Sequence, residues 1–518
     1  MKLAVSSMIP EIDAFCAKSL GISVKELMHK SGVAVADAVR ARVSSDKAII
    51  VLAGKGNNGG DGYAAAVELM DEYRIKVYDM FSAGQKSEEG RYFLELFRER
   101  GGEVVNYTGI DAIRDDISTS GAIIDAVFGT GFAGEMPESL RPLAIAIREN
   151  VGAQKIAVDV PLGINPDNGS VSDFAVTATA TVALSFIKPG IISYPARSFV
   201  GEIIYSDLGI PKDKVFDNFD LRYHMIDENW VSRNLPVRES NSHKGSFGKL
   251  LLITGSEKYR GAAHLTAEAA LRGGVGLVTF LGCHSVVSEL SRKYPEIIYK
   301  EKNVDDTLTD ADISEICTLS ASHSATLVGS GSDNTQGLLR LTLALLLSEG
   351  GPLILDADAL NALSSIGSDG ILALKRSSRD VIITPHPLEF ARLSVADVAS
   401  VQLHRLEATE KFASENKITL VLKGAGTIIS DGKDTYINVT GSSALAKAGS
   451  GDVLAGLLAA IVAQGRGTPA VSAALAVYLH AVAGQTLAGE FSSYGVTPSD
   501  LPSEIARSIA LIEQNTLC

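Results

Sequence analysis

Short apolar runs rich in branched residues recur along the chain, each closing on glycine or a polar loop and most followed by residues with helical spacing. In the first part "AIIVLAG" (48–54) precedes "DGYAAAVELM", "RIKVYDMF" precedes "SEEGRYFLELFRERGG", and "GAIIDAVFG" and "QKIAVDVPLG" each end an apolar run in glycine. Runs this short and continuous predict strands buried on both faces, so the pattern implies a mostly parallel sheet covered by helices. "ATVALSFIKPG" and "GEIIYSDLGIP" extend it. The stretch from about Pro211 to His243 then loses strong periodicity and scatters its charges, which sets a domain break near residue 220. Beyond it the alternation restarts with "KLLLITGS", "GLVTFLG", "SATLVGSG", "PLILDADALNAL", "DVIITPHPLEF" and "ITLVLKGAGTII", followed by an alanine-rich helical tail. The expectation is an α/β protein of two domains, residues 1–220 and 221–518.

Within the tail, "AVSAALAVYLHAVAG" (470–484) is expected to be a buried helix, because it is short for a bilayer and contains His480. No run reaches a membrane span, and the start lacks the apolar core of a signal peptide. Lys and Arg number 47 against 61 Asp and Glu, a formal charge of −14, which disfavours a nucleic-acid partner bound through its phosphates. Cys16, Cys283, Cys317 and Cys518 have no zinc-type spacing. A soluble cytoplasmic protein fits these features.

Ligands of parallel sheets sit beyond the carboxyl ends of the strands, and there the chemistry-bearing residues gather. "GKGNNGGDG" follows the first run directly. Its glycines permit positive φ, and the helix that comes after it offers unpaired N–H groups to an anion. Asn57, Asn58 and Asp61 supply oxygens for a polar ligand or a hard cation, or else form the turn and cap the helix. "DAVFGTGFAGE" brings Asp125 to a second strand end and "AVDVPLGINPDNG" brings Asp159 to a third. Asp159 is the acid/base candidate, a carboxylate beside an apolar pocket. In the second half "GSGD" places Asp452 in the first turn of an apolar helix, where the helix terminus can hold a phosphoryl group and the carboxylate can take a hydroxyl proton, or simply cap the helix. "LKGAGT" is a glycine-bearing turn with Lys423 as counter-charge, "TPHP" fixes His386 between prolines, and "DADALNAL" adds Asp356, Asp358 and Asn361.

These motifs resemble a known family. Residues 1–215, with the loop Asn57–Gly62, resemble NAD(P)H-hydrate epimerase domains. Residues 225–515, with "HKG", "TPHP", "LKGAGT" and "GSGD", resemble the ADP/ATP-dependent NAD(P)H-hydrate dehydratases, relatives of the ribokinase-like carbohydrate kinases. Together they resemble the bifunctional NAD(P)H-hydrate repair enzymes. The resemblance implies an N-terminal Rossmann-like three-layer αβα sandwich and a C-terminal ribokinase-like αβα domain. It implies substrates NADHX and NADPHX, a phosphoryl donor ADP or ATP with Mg2+, K+ in the first domain, and a homo-oligomer. Carried over, Asn57, Asn58, Gly59, Gly60 and Asp61 belong to the dinucleotide cleft, with Gly129, Thr130, Gly131, Phe132, Ala133, Gly134 and Glu135 as the substrate loop and Asp159 catalytic. Asn58 and Asp125 hold K+, beside Leu162, which stands where the family has serine and offers only its carbonyl. In the second domain Ala262, Gly331 and His386 meet the hydrated nucleotide. Lys423, Gly424, Ala425, Gly426, Thr427 and Gly451 meet the adenine nucleotide, and Asp452 meets the substrate hydroxyl. "GSGSD" (329–333) replaces the family's glycine-proline-glycine-leucine-glycine. The alternative is a small-alcohol kinase for a vitamin precursor, joined to a nucleotide-binding module without epimerase activity.

Overall fold

The computed structural model describes residues 1–82, 84, 86–132 and 136–517. The chain divides into two compact units, Lys2–Tyr223 and His224–Cys518, the second also taking Met1.

In the first unit seven strands, β1 (Ala48–Ala53), β2 (Arg74–Asp79), β3 (Glu103–Asn106), β4 (Ala122–Ala126), β5 (Gln154–Val158), β6 (Ala180–Leu184) and β7 (Glu202–Ser206), form one sheet in the order β3-β2-β1-β4-β5-β6-β7. Every pair is parallel. The continuous apolar run of β1 has a simple cause. Ile49, Val51 and Ala53 enter one core cluster while Ile50 and Leu52 enter another, so both faces of the strand are buried. On the first face lie the helices α1 (Val24–Arg40) and α2 (Asn57–Leu69). They approach closely because Gly32 faces Ala64, whose Cβ would stand 2.6 Å from a Cβ at position 32. The strand order reverses between β1 and β4, and a crevice opens at their carboxyl ends.

The second unit repeats the plan. Its strands include β8 (Lys249–Ile253), β9 (Leu277–Gly282), β10 (Ile298–Glu301), β11 (Ala325–Val328), β12 (Leu353–Leu355), β13 (Val381–Ile383), β14 (Thr419–Leu422), β15 (Ile428–Ser430) and β16 (Thr435–Asn438). From β16 to β10 the order is β16-β15-β14-β13-β12-β11-β8-β9-β10. The pairs from β14 to β10 are parallel, and β15 and β16 extend that side as antiparallel strands. Leu250 and Leu252 face one core, Leu251 and Ile253 the other. Here the order reverses between β8 and β11.

Among the helices of this unit are α3 (Arg260–Arg272), α4 (Pro387–Ser394), α5 (Ser450–Ala463) and α6 (Pro469–Gly495). The expectation that no run reaches membrane-span length needs correction. At 27 residues α6 is long and apolar enough by length and composition, and most of it is buried inside the protein. Polar residues such as His480 and Gln485 interrupt the apolar run in the sequence without ending the helix.

Candidate active sites

At the reversal between β1 and β4 lies a cleft of about 600 Å³. Glycine allows its two loops to touch, since a Cβ on Gly54 would stand 2.0 Å from Val127 O and one on Gly59 2.0 Å from Gly54 O. α2 starts after Gly56 with no side-chain cap, which leaves its first N–H groups available to an anion. Asn57 and Asn58 therefore do not cap. Instead the Asn58 side chain donates to Phe128 O at 2.9 Å, tying the first loop to the second. Both asparagines line the cleft with Asp61, Gly129, Thr130, Gly131 and Phe132. Ala133, Gly134 and Glu135 lie outside the described residues. Gly59 and Gly60 are buried beneath the loop, and a Cβ on Gly60 would stand 2.5 Å from Met28 Cε. Their side of the loop serves packing rather than the cleft wall.

Asp125, Asp159 and Asp61, with Lys188, set much of the electrostatics of this cleft. Asp125 ends β4 and is buried; it accepts from Leu162 N at 2.7 Å and Val127 N at 3.3 Å. Burial lifts it to about 6, against the pull of those two donors. Leu162 keeps its side chain in an apolar cluster, and its carbonyl accepts from Val176 N at 2.9 Å. Asp159 follows β5 at φ 66, a conformation that costs a non-glycine residue about 1 kcal/mol or more. It is held there by its own N–H on Val182 O at 2.8 Å, by Leu184 N at 3.1 Å, and by the buried ammonium of Lys188 at 2.5 Å. Asp61 carries the heaviest penalty: burial first, then the charge of Asp159, hold its carboxyl well above the usual range, opposed by a hydrogen bond to Ser31.

The second site gathers at the ends of β12, β13 and β14. Asp356 is 1% exposed and accepts from Thr384 Oγ1 at 2.7 Å, Ser330 Oγ at 2.9 Å and Lys423 Nζ at 3.0 Å. Desolvation pulls the Lys423 ammonium down, but Asp356, Glu389 and Asp452 together raise it above the ordinary lysine value. A Cβ on Gly451 would lie 3.6 Å from Lys423 Nζ, so the start of α5 faces this ammonium. α5 begins after Gly449, at φ 99, with no side-chain cap. Asp452 is therefore no capping residue. Burial and then Asp356 push its carboxyl to about 7, with Lys423 opposing. Beneath it His480 Nε2 sits 3.1 Å from both Ser450 Oγ and Ser450 O.

Around this centre stand the other expected residues. Gly331 packs on α3 so tightly that an added Cβ would sit 2.5 Å from Ala262 Cβ. His386 caps α4, its Nδ1 accepting from Leu388 N and Glu389 N at 3.2 Å. That fixes the hydrogen on Nε2, which points at Glu389 Oε1 at 3.3 Å from a half-exposed ring. Gly424 and Ala425 are exposed in the turn between β14 and β15. Gly424 and Gly426 take positive φ. Thr427 Oγ1 donates to Gly424 O at 3.0 Å, and buried Arg405 braces the turn through Leu422 O and Lys423 O. In the departing segment Asp333 holds φ 63, where glycine would be unstrained, and its N–H is anchored on Asp358 Oδ2 at 2.9 Å.

The sequence pattern did not single out Asp13, Lys188, Ser330, Thr384, Arg405 or Ser450. Lys188 alone gave a signal, as a lone cation inside the apolar stretch "ATVALSFIKPG".

Two α/β units, one with a carboxyl-rich dinucleotide-sized cleft and one with a carboxylate and a lysine at an uncapped helix start, define a two-site nucleotide enzyme. Comparisons with known proteins give that class its family. Residues 250–507 match the family described as NAD(P)H-hydrate dehydratase, and residues 24–190 match the YjeF-related protein N-terminus. A bifunctional NAD(P)H-hydrate repair enzyme from Moorella thermoacetica is 32% identical, covering 97% of this chain and 95% of that protein. One from Coxiella burnetii is 33% identical over 95% of this chain and 96% of that protein. A crystal structure of an ADP/ATP-dependent NAD(P)H-hydrate dehydratase from Bacillus subtilis, co-crystallised with ATP and Mg2+, is 29% identical and superimposes with a TM-score of 0.49, covering 56% of this chain and 99% of that one. This chain belongs to the bifunctional NAD(P)H-hydrate repair enzymes, which epimerise NAD(P)H-hydrate and dehydrate it at the expense of a nucleotide.

Proposed function

We propose that the unit Lys2–Tyr223 interconverts the R and S forms of NADHX and NADPHX, and that the unit His224–Cys518 returns the S form to NAD(P)H, with ADP converted to AMP and phosphate or ATP to ADP and phosphate. The observation that carries the second assignment is the cluster Asp452, Lys423 and Asp356 at the uncapped start of α5. Asp452 takes the proton of the C6 hydroxyl, and the oxygen attacks the terminal phosphorus. The P–O bond to the departing nucleotide breaks. Lys423 and the first N–H groups of α5 meet the phosphoryl oxygens where their charge grows. The C6 phosphoester then leaves as phosphate, pushed out by the N1 lone pair, and loss of a C5 proton restores the ring double bond. The turn from Gly424 to Thr427 receives the adenine nucleotide, and Ala262, Gly331 and the Nε2–H of His386 orient the hydrated nicotinamide.

Mg2+ would accompany the nucleotide and offset its phosphate charge. In the first unit K+ would lie between Asn58 and Asp125. Both are oxygen donors suited to a hard cation, and an ionised Asp125 would be stabilised by it. No cluster of three or more His, Cys, Asp or Glu side chains suited to a metal occurs among the described residues, so Asn58 and Asp125 would need a backbone carbonyl beside them to hold K+. The Leu162 carbonyl is the one expected from the sequence, shared with the Val176 N–H. A cytoplasmic homo-oligomer fits the same proposal.

The test is turnover of S-NADHX by the purified chain with ADP or ATP and Mg2+. NADH should appear with one nucleotide phosphate lost per molecule. A stable phosphate ester of a small alcohol, formed without NADH recovery from the hydrate, would select the kinase alternative instead.

A further inference from the structure

One carboxylate of the first cleft takes no part in binding or catalysis as assigned from the family. Asp13, on the helix Ile9–Phe15, lines the cleft beside Asp61, Asp159 and Lys188. Asp159 is paired with Lys188 and Asp61 interacts with Ser31, but the Asp13 side chain has no hydrogen-bond or ion-pair partner among the described residues. Three carboxyls thus line one cleft with Lys188, which pairs with Asp159, and Lys55, and repulsion among the carboxyls favours their protonated forms. Burial and the charge of Asp159 hold Asp61 well above the usual carboxylate range. Asp13 differs: burial raises it to about 6, Lys188 opposes and Asp159 adds to the rise. The Cys16 thiol one turn on, itself raised by burial and by Asp13, with Lys212 beyond it, completes the charged surroundings. Lining the cleft without a partner among the described residues and raised to about 6, Asp13 is placed to give and regain a proton near neutrality.

We propose that Asp13 is the second proton-transfer residue of the epimerase site, working with Asp159 from a different element of the cleft so that each serves one face of the substrate's C6. The proposal rests on the epimerase assignment of the first unit. In one direction protonated Asp13 gives its proton to the C6 hydroxyl, the C6–O bond breaks with its pair going to oxygen, and water departs as the N1 lone pair forms the N1=C6 iminium. Water then adds to the opposite face, the π pair returns to N1, and ionised Asp159 takes the released proton. The reverse direction exchanges the two roles; between turnovers in one direction Asp13 regains a proton from solvent water and Asp159 releases one to it, so the cycle closes with no net proton change.

A two-residue site has a signature that a merely structural aspartate lacks. With single epimers in heavy-oxygen water, and the uncatalysed rate subtracted, D13N should lose at least about 100-fold in epimerisation kcat in both directions, with KM and NADH binding little changed. It should still exchange the C6 oxygen of one epimer with solvent, while D159N exchanges only the other. D13E should recover part of the rate. Epimerisation by D13N at the wild-type rate would overturn the proposal, as would D13N and D159N exchanging the same epimer, or D61N taking the place of D13N in this pattern. A wild-type chain without epimerisation would instead overturn the assignment on which the proposal rests.

Discussion

As the proposed base, Asp452 must be ionised to take a proton, yet burial and Asp356 hold its carboxyl at about 7 while Lys423 pulls it down. A base of that kind works only above its own pKa. The dehydratase kcat/KM is therefore expected to rise with pH and level off above about 7, and D452N should lower kcat by about 10²–10⁴-fold while epimerisation continues. A pH–rate profile of wild type, with the rate of D452N measured beside it, checks both. Lys423 carries a structural burden as well. Among the described residues the buried Asp356 carboxylate has two hydroxyls and this lysine as partners, so K423M should cost about 3 kcal/mol, the scale for breaking a buried pair. Denaturant unfolding followed in the second unit measures this, and an unchanged midpoint would contradict it. Lys423, Asp159 and Asn58 stood out in the sequence because each lies by a glycine-bearing loop that closes an apolar run, and Asp452 because its glycine turn opens an apolar helix. Lys188, Thr384 and Ser330 were not. Lys188 lies 29 residues from Asp159, and Thr384 and Ser330 lie 28 and 26 from Asp356, so strand order, not local pattern, brings the partners together.

Helices position these side chains, and the positioning depends on how closely they approach. Gly449 lies against Leu265, Gly456 against Thr266 and Gly273 against Ala460, so α3 and α5 run side by side in the same direction. A Cβ on Gly456 would stand 2.2 Å from Thr266 O. G456A should therefore force the helices apart, cost about 1–3 kcal/mol and reduce dehydratase turnover more than epimerase turnover. Thermal unfolding and the two assays on one preparation decide it, and a variant as stable and active as wild type would show that the close approach is dispensable. The strands were legible as buried on both faces, since side chains alternate from face to face and a continuous apolar run therefore needs both faces covered. The contact between α3 and α5 was hidden, because glycine in a helix signals a close approach only once the neighbour is known. The full length of α6 was hidden for a related reason: its burial tolerates His480, which finds its partners on Ser450.

At the scale of the whole chain, two units carry two chemistries with one substrate between them. The sequence divides near the polar stretch that begins around Pro211, and the alternation on either side made both sheets readable. The details that adapt each sheet, the strained Asp159 and the hairpin β15–β16 beside Lys423, needed the three-dimensional structure. If one unit produces what the other consumes, neither epimer of the hydrate should persist. The decisive measurement is the fate of a mixture of both NADHX epimers given to the purified chain with ADP or ATP, Mg2+ and K+, following NADH by absorbance and each epimer by chromatography. Both epimers should disappear into NADH. D452N should stop recovery while the epimers still interconvert, and D159N should let one epimer be recovered while the other decays only at its uncatalysed rate. Failure of the wild-type chain to recover NADH, or consumption of the second epimer by D159N at the wild-type rate, would contradict the division of labour between the two units.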